Sequence, residues 1–71
     1  GKLDLAISDF NKAIELRPNY ALAYFNRGIT LQLKGDTMAA IADYNKAIQL
    51  SDNVALIEAA RQRISDIQRK R

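Results

Sequence analysis

The chain has no cysteine and no histidine. Without thiols there is no disulfide framework and no thiolate chemistry. Without imidazole the commonest general base and the commonest metal ligand are missing. Ser8, Thr30, Thr37, Ser51 and Ser65 have no histidine to activate them as nucleophiles. No apolar run approaches the roughly 20 residues of a membrane span, and no signal-peptide pattern is present. Glycine is scarce, and none of it builds a phosphate-cradling loop, since Gly28 falls inside a helical pattern and Gly35 at a turn. Linkers, low-complexity tracts and strand-like alternation are absent as well. These absences leave no enzymatic chemistry, metal site or cofactor to expect, and no membrane partner.

What remains is a small globular chain. Its 71 residues are 48% apolar and 27% charged, a balance of folded and not of disordered proteins. A chain this short buries only about 60% of the surface it exposes when unfolded, so it is marginal alone. The first residue is Gly1 and not methionine, and a piece of a longer protein is expected. Net charge is +3, unevenly placed. Residues 1–53 balance; the excess comes from Arg61, Arg63, Arg69, Lys70 and Arg71 against Glu58 and Asp66. A high isoelectric point from one tail is a weaker nucleic-acid signal than a basic face on a folded body.

Residues 9–16 read DFNKAIEL and residues 43–50 read DYNKAIQL, an offset of 34 positions. At that offset Gly1, Ala6 and Ile7 meet Gly35, Ala40 and Ile41, and Asn19, Ala21, Leu22 and Arg27 meet Asn53, Ala55, Leu56 and Arg61. One structural part is therefore used twice. In both copies the apolar residues step by 1, 3, 3 and 1 (Ala6, Ile7, Phe10, Ala13, Ile14; Ala40, Ile41, Tyr44, Ala47, Ile48), the stripe of an α-helix. Asp9 with Lys12, and Asp43 with Lys46, read as i,i+3 ion pairs on the polar side. Asp9 and Asp43 stand one repeat apart, too far for a paired-carboxylate site. The pattern predicts helices near 3–16, 20–34, 37–50 and 54–69, joined by short turns that make neighbours antiparallel. Gly35 supplies a helix end and Asp36 an N-cap. Pro18 stops the first helix, with Asn19 as the expected cap of the second. Ser51, Asp52 and Asn53 take the same place later without a proline.

With these residues in place, the chain resembles the tetratricopeptide repeat family. Residues 21–54 fit one unit through Tyr24, Gly28, Ala40, Tyr44 and Ala47, with Gly35-Asp36 at the turn; residues 1–20 fit half a unit through Ala6, Phe10, Ala13 and Pro18. The resemblance implies an all-α fold, an antiparallel helix-turn-helix repeat array. It divides into the second helix of a truncated repeat (1–18), a full repeat (19–52) and a C-terminal capping helix (53–71). Gly28, Ala40 and Ala47 allow close helix approach, while Tyr24, Phe10 and Tyr44 fill the volume between pairs. In the last helix Glu58 and Gln62 replace the aromatic and the small residue, which leaves one narrow apolar stripe (Ile57, Ala60, Ile64, Ile67) and one wet face. The first helix lacks a partner. Upstream repeats, or self-association through residues 3–16, are expected to cover it, since losing half a stripe's burial costs several kcal/mol at ~25 cal/mol per Å².

The resemblance also implies a protein or peptide partner on the concave side of the array, formed here by Leu22, Phe25, Asn26, Ile29, Gln32 and Leu33. Taken singly, Leu22, Ile29 and Leu33 read better as core; Phe25, beside Tyr24, reads better as groove. Some co-chaperone members of the family clamp a C-terminal carboxylate with an asparagine at the place of Asn26. The basic residues of that clamp would fall at Leu56 and Ala60, so it is incomplete here and Asn26 is better matched to peptide backbone. Arg27 recurs as Arg61, which points to a structural role. Arg61 and Arg63 are candidate contacts for an acidic partner. Arg69, Lys70 and Arg71 offset the helix dipole. Nucleic acid ranks last, because no aromatic is interleaved with the arginines to stack a base.

Overall fold

The computed structural model describes residues 1–69. Among them are four α-helices and no strand: α1 Lys2–Leu16, α2 Ala21–Lys34, α3 Thr37–Leu50 and α4 Val54–Arg69. The helices fall within one residue of the expected spans, because each is set by a strong apolar stripe and a strong stop.

The stops have identifiable causes. Gly35 takes φ +99°, where a side chain would be strained. Its N–H donates to the Gln32 carbonyl at 3.1 Å and the Asp36 N–H to the Leu31 carbonyl at 2.9 Å, the paired bonds of a Schellman ending. Asp36 then caps α3 by accepting from the Ala39 N–H at 3.3 Å. At the next turn Ser51 Oγ accepts from the Asn53 N–H at 2.9 Å, and Asn53 Oδ1 from the Leu56 N–H at 3.2 Å. Two side-chain bonds thus do without the proline. Asn19 does not cap α2. It lies inside a turn closed by the Tyr20 N–H on the Arg17 carbonyl at 3.0 Å, and Tyr20 precedes the helix with no side-chain cap bond. The Arg17 guanidinium lies 4.4 Å from the centre of the Tyr20 ring.

Turns of two to four residues return each helix antiparallel to the one before. α2 packs between α1 and α3, α3 packs on α4, and α2 also touches α4. Among the described helices α1 touches α2 alone.

The core sits where α2, α3 and α4 meet. Tyr44 is its largest residue and is 0% exposed. Its ring lies across Gly28, where an added Cβ would come 2.7 and 2.9 Å from two ring carbons. Ala40, Ala47 and Ala60 are fully buried around it, and Ile41, Ile48 and Ile64 pack on the margin. The phenolic O–H donates to Gln32 Oε1 at 2.6 Å, so the one polar atom of this ring has a partner. Tyr24 differs from expectation. It is half-buried, with the Arg27 guanidinium 5.3 Å from its ring centre. Helix α1 has no fully buried residue; Ala6, Ile7, Phe10, Ala13 and Ile14 are half-buried.

Gly28→Ala tests the close crossing. Alanine improves helix propensity by up to about 1 kcal/mol, but its Cβ meets a ring with no free space to enter. Overpacking should win, with a net loss of about 1–2 kcal/mol in urea unfolding. The cost should vanish when Tyr44 is also replaced by leucine. A Gly28→Ala single variant as stable as the parent would show that the ring can move aside.

Candidate partner-binding surface

A polar joint fixes how the helices sit beneath the surface. Arg27 on α2 reaches α3 through two parallel bonds, Nε to Asp43 Oδ2 at 2.7 Å and Nη2 to Asp43 Oδ1 at 2.8 Å. Its third nitrogen, Nη1, donates to Asn11 Oδ1 on α1 at 2.8 Å. One side chain therefore ties three helices. Asp43 is only 6% exposed, and the hydrogen bond to it pushes the Arg27 pKa further up against the opposing effect of burial. Arg27 is charged at every pH at which the fold is of interest.

This corrects the expected Asp43–Lys46 pair. A buried carboxylate is matched by the planar fork of an arginine better than by a flexible ammonium. The Asp9–Lys12 pair is not formed either: Lys12 Nζ meets Glu15 at 3.5 Å, and Asp9 is exposed with no ion partner among the described residues. Asp9 is the repeat counterpart of Asp43, and the helix that would bring its arginine is not among α1–α4. Asp43 and Asn11 were missed from sequence. Their signal was present in the 34-residue recurrence of the same Asp and Asn at 9 and 43, and at 11 and 45.

The open side of α2 carries the residues expected in a groove. Leu22 is 45% and Leu33 70% exposed, against the expectation that each would be core. The helix is already held by neighbours on its other sides, and these two positions face none of them. Phe25 and Ile29 are half-buried and lean on the core, Phe25 with its ring centre 5.7 Å from that of Tyr44. They belong partly to core and partly to surface. Gln32 is half-buried, its amide oxygen occupied by Tyr44. Asn26 is half-buried and its main-chain carbonyl accepts from Thr30 Oγ1 at 3.0 Å. Its side-chain amide makes no hydrogen bond to another described residue. Spacings of 4, 3 and 4 place Leu22, Asn26, Ile29 and Leu33 on one helix face.

The structure separates the two candidate arginines of α4. Arg61 is exposed, whereas Arg63 is half-buried beside the Tyr44 hydroxyl. Residues two apart on a helix point roughly 200° apart. Burial pushes the Tyr44 pKa up, and the Arg63 guanidinium pulls it the other way. Arg69 interacts with Asp66 at 3.9 Å and Ser65 at 3.4 Å; Lys70 and Arg71 lie outside the described residues. Asp9 and Asp43 do not converge, and among the described residues no group of three His, Cys, Asp or Glu side chains is placed to hold a metal. None of the described helices is long and apolar enough to cross a membrane.

The architecture is an antiparallel helical repeat with one apolar face left open. Residues 1–35 match a family model described as TPR repeat, and residues 21–53 match one described as tetratricopeptide repeat. The chain belongs to the tetratricopeptide repeat family. Repeats of this family generally mediate protein–protein interaction and are a non-catalytic type. Neither the curated proteins nor the solved structures contain a match to this chain.

The Arg27 joint is open to a double-mutant cycle. Asp43→Leu should cost about 2–4 kcal/mol in urea unfolding, because it strands a half-buried guanidinium. Arg27→Leu together with Asp43→Leu should cost less than the two single changes added, with a coupling of about 1–3 kcal/mol. Strict additivity would mean the pair carries no energy of its own.

Proposed function

We propose that the open face of α2, continued by α4, binds an extended peptide segment of a partner protein. The observation that carries this reading is the pair of exposed leucines, Leu22 and Leu33, flanking an Asn26 amide that has no partner within the described chain. Apolar side chains of a peptide would cover the leucines, and the amide would bond its backbone. Helix α4 supports the reading by ending the stack. Gln62 stands at the repeat position of Gly28, where a Cβ comes within 2.7 Å of the crossing ring, and Glu58 stands at that of Tyr24. A further helix bearing an aromatic cannot nest on α4 as α3 nests on α2. Residues 1–18, 19–52 and 53–71 are accordingly half a repeat, a full repeat and a cap.

The test is selection of binding peptides from a displayed random library, followed by fluorescence anisotropy with the purified chain. Leu33→Glu should weaken the selected peptides at least about tenfold, since placing a charge in an apolar contact costs more than 1.4 kcal/mol. Asn26→Ala and Phe25→Ala should weaken them by less. Met38→Glu, at an exposed position on α3, should leave binding and melting temperature unchanged. No enriched peptide, or undiminished binding to Leu33→Glu, removes the proposal.

A second reading, self-association through α1, is favoured by a separate observation. Among the described helices α1 touches only α2; it has no fully buried residue, and it exposes Leu5 and Leu16. Sedimentation should then show a mass that rises with concentration, and Ile7→Lys should abolish the rise. A strict monomer at millimolar concentration eliminates this reading.

A further inference from the structure

We propose that Arg63 receives a carboxylate, the side chain of an aspartate or glutamate placed between apolar residues of the bound peptide. The inference rests on the groove reading above and adds the chemistry of the ligand.

Four of the nine described lysines and arginines have a carboxylate counterpart within the chain; Lys2 and Arg17 are exposed without one, and Lys46, on α3, is half-buried without one. Arg27 is held by Asp43, Lys34 by Asp4 at 2.7 Å, Lys12 by Glu15 and Arg69 by Asp66. Arg61 is exposed and hydrated. Arg63 is neither. It is half-buried, so it has given up part of its water, and no described carboxylate lies within 4.0 Å of it. A guanidinium partly withdrawn from solvent without an anion is incomplete until one arrives.

The Tyr44 hydroxyl spends its proton on Gln32 at 2.6 Å. The planar fork of the Arg63 donors suits a carboxylate. The 34-residue period makes Arg63 the counterpart of Ile29, in the middle of the open face, and α4 touches α2. The nearby negative groups do not neutralise it. Asp66 accepts from Gln62 Nε2 at 2.9 Å and faces Arg69, and Glu58 is exposed.

The same surroundings choose the ligand. One cation, with the half-buried Leu56 on the same face of α4, suits a single carboxylate and not a phosphate dianion. Leu22 and Leu33 extend the apolar surface on both sides of Asn26, so a peptide runs through the groove instead of ending in it. The acid is therefore an internal side chain.

The probe is a pair of fluorescein-labelled peptide libraries, acetyl-x-x-Leu-x-Asp-x-Leu-x-x-amide and its Asn counterpart, with x neither acidic nor cysteine. A third library carries Asn at the centre and a free terminal carboxylate. Anisotropy at low salt should show the Asp library binding the full chain about tenfold tighter than the Asn library, with the advantage shrinking as salt is added. Arg63→Gln should erase the advantage while keeping the Asn affinity, Arg63→Lys should keep part of it, and Arg61→Gln should leave it whole. Equal affinities, or a preference that survives Arg63→Gln, overturn the proposal and leave the groove standing. A preference confined to the free-carboxylate library overturns it in favour of a terminal acid. Failure of every library to bind removes the groove and the inference together. Should Arg63→Gln melt early, the Arg63→Lys and Arg61→Gln comparison still decides.

Discussion

A tyrosine ring lying across a glycine holds this molecule together. Tyr44 can be wholly buried only because Gly28 offers no Cβ, and the ring fills the crossing so closely that even one methyl would meet it at 2.7 Å. That contact sets how near α2 and α3 approach, and the approach brings Ala40 and Ala47 into the core. The bond from the phenol to Gln32 lets a polar atom enter the core without an unmet hydrogen-bond cost. The same hydroxyl stands beside Arg63, so the packing of the core reaches outward to the surface on which a partner would lie.

A polar joint reinforces the apolar one. Arg27 grips the nearly buried Asp43 with two bonds and Asn11 with a third, so α1 is oriented even though it buries nothing completely. The two ends of the array are therefore unlike. At the α1 end lie a half-buried stripe and an Asp9 with no arginine partner among the described residues. At the α4 end Glu58 and Gln62 fill the places where nesting would require an aromatic and a glycine.

Much of this was legible from sequence because the repeat states it twice. Two octets at the same offset gave the helices, and small residues at 28, 40 and 47 gave their close approach. Single positions with competing partners were less legible. Asp43 lies three residues before Lys46, and local spacing favoured that pair; the arginine sixteen residues away prevailed because burial rewards a bidentate fork. Asn19 has a good capping side chain, yet the turn it sits in left Tyr20 at the helix start. Leu22 and Leu33 look like core in a helical stripe, and only the arrangement of the described neighbours shows that both stay exposed.

The sequence by itself determined the elements of the protein, since stripes, stops and a 34-residue period act locally or by simple repetition. It also determined the family. Tertiary structure alone decided which charges are spent inside the molecule and which remain for a partner. Arg61 and Arg63 are two letters apart and alike in composition, but the turn of one helix leaves the first in water and sets the second, half-buried, against a tyrosine oxygen. Desolvation and the direction of a side chain are properties of the packed whole, and no short stretch of sequence contains them.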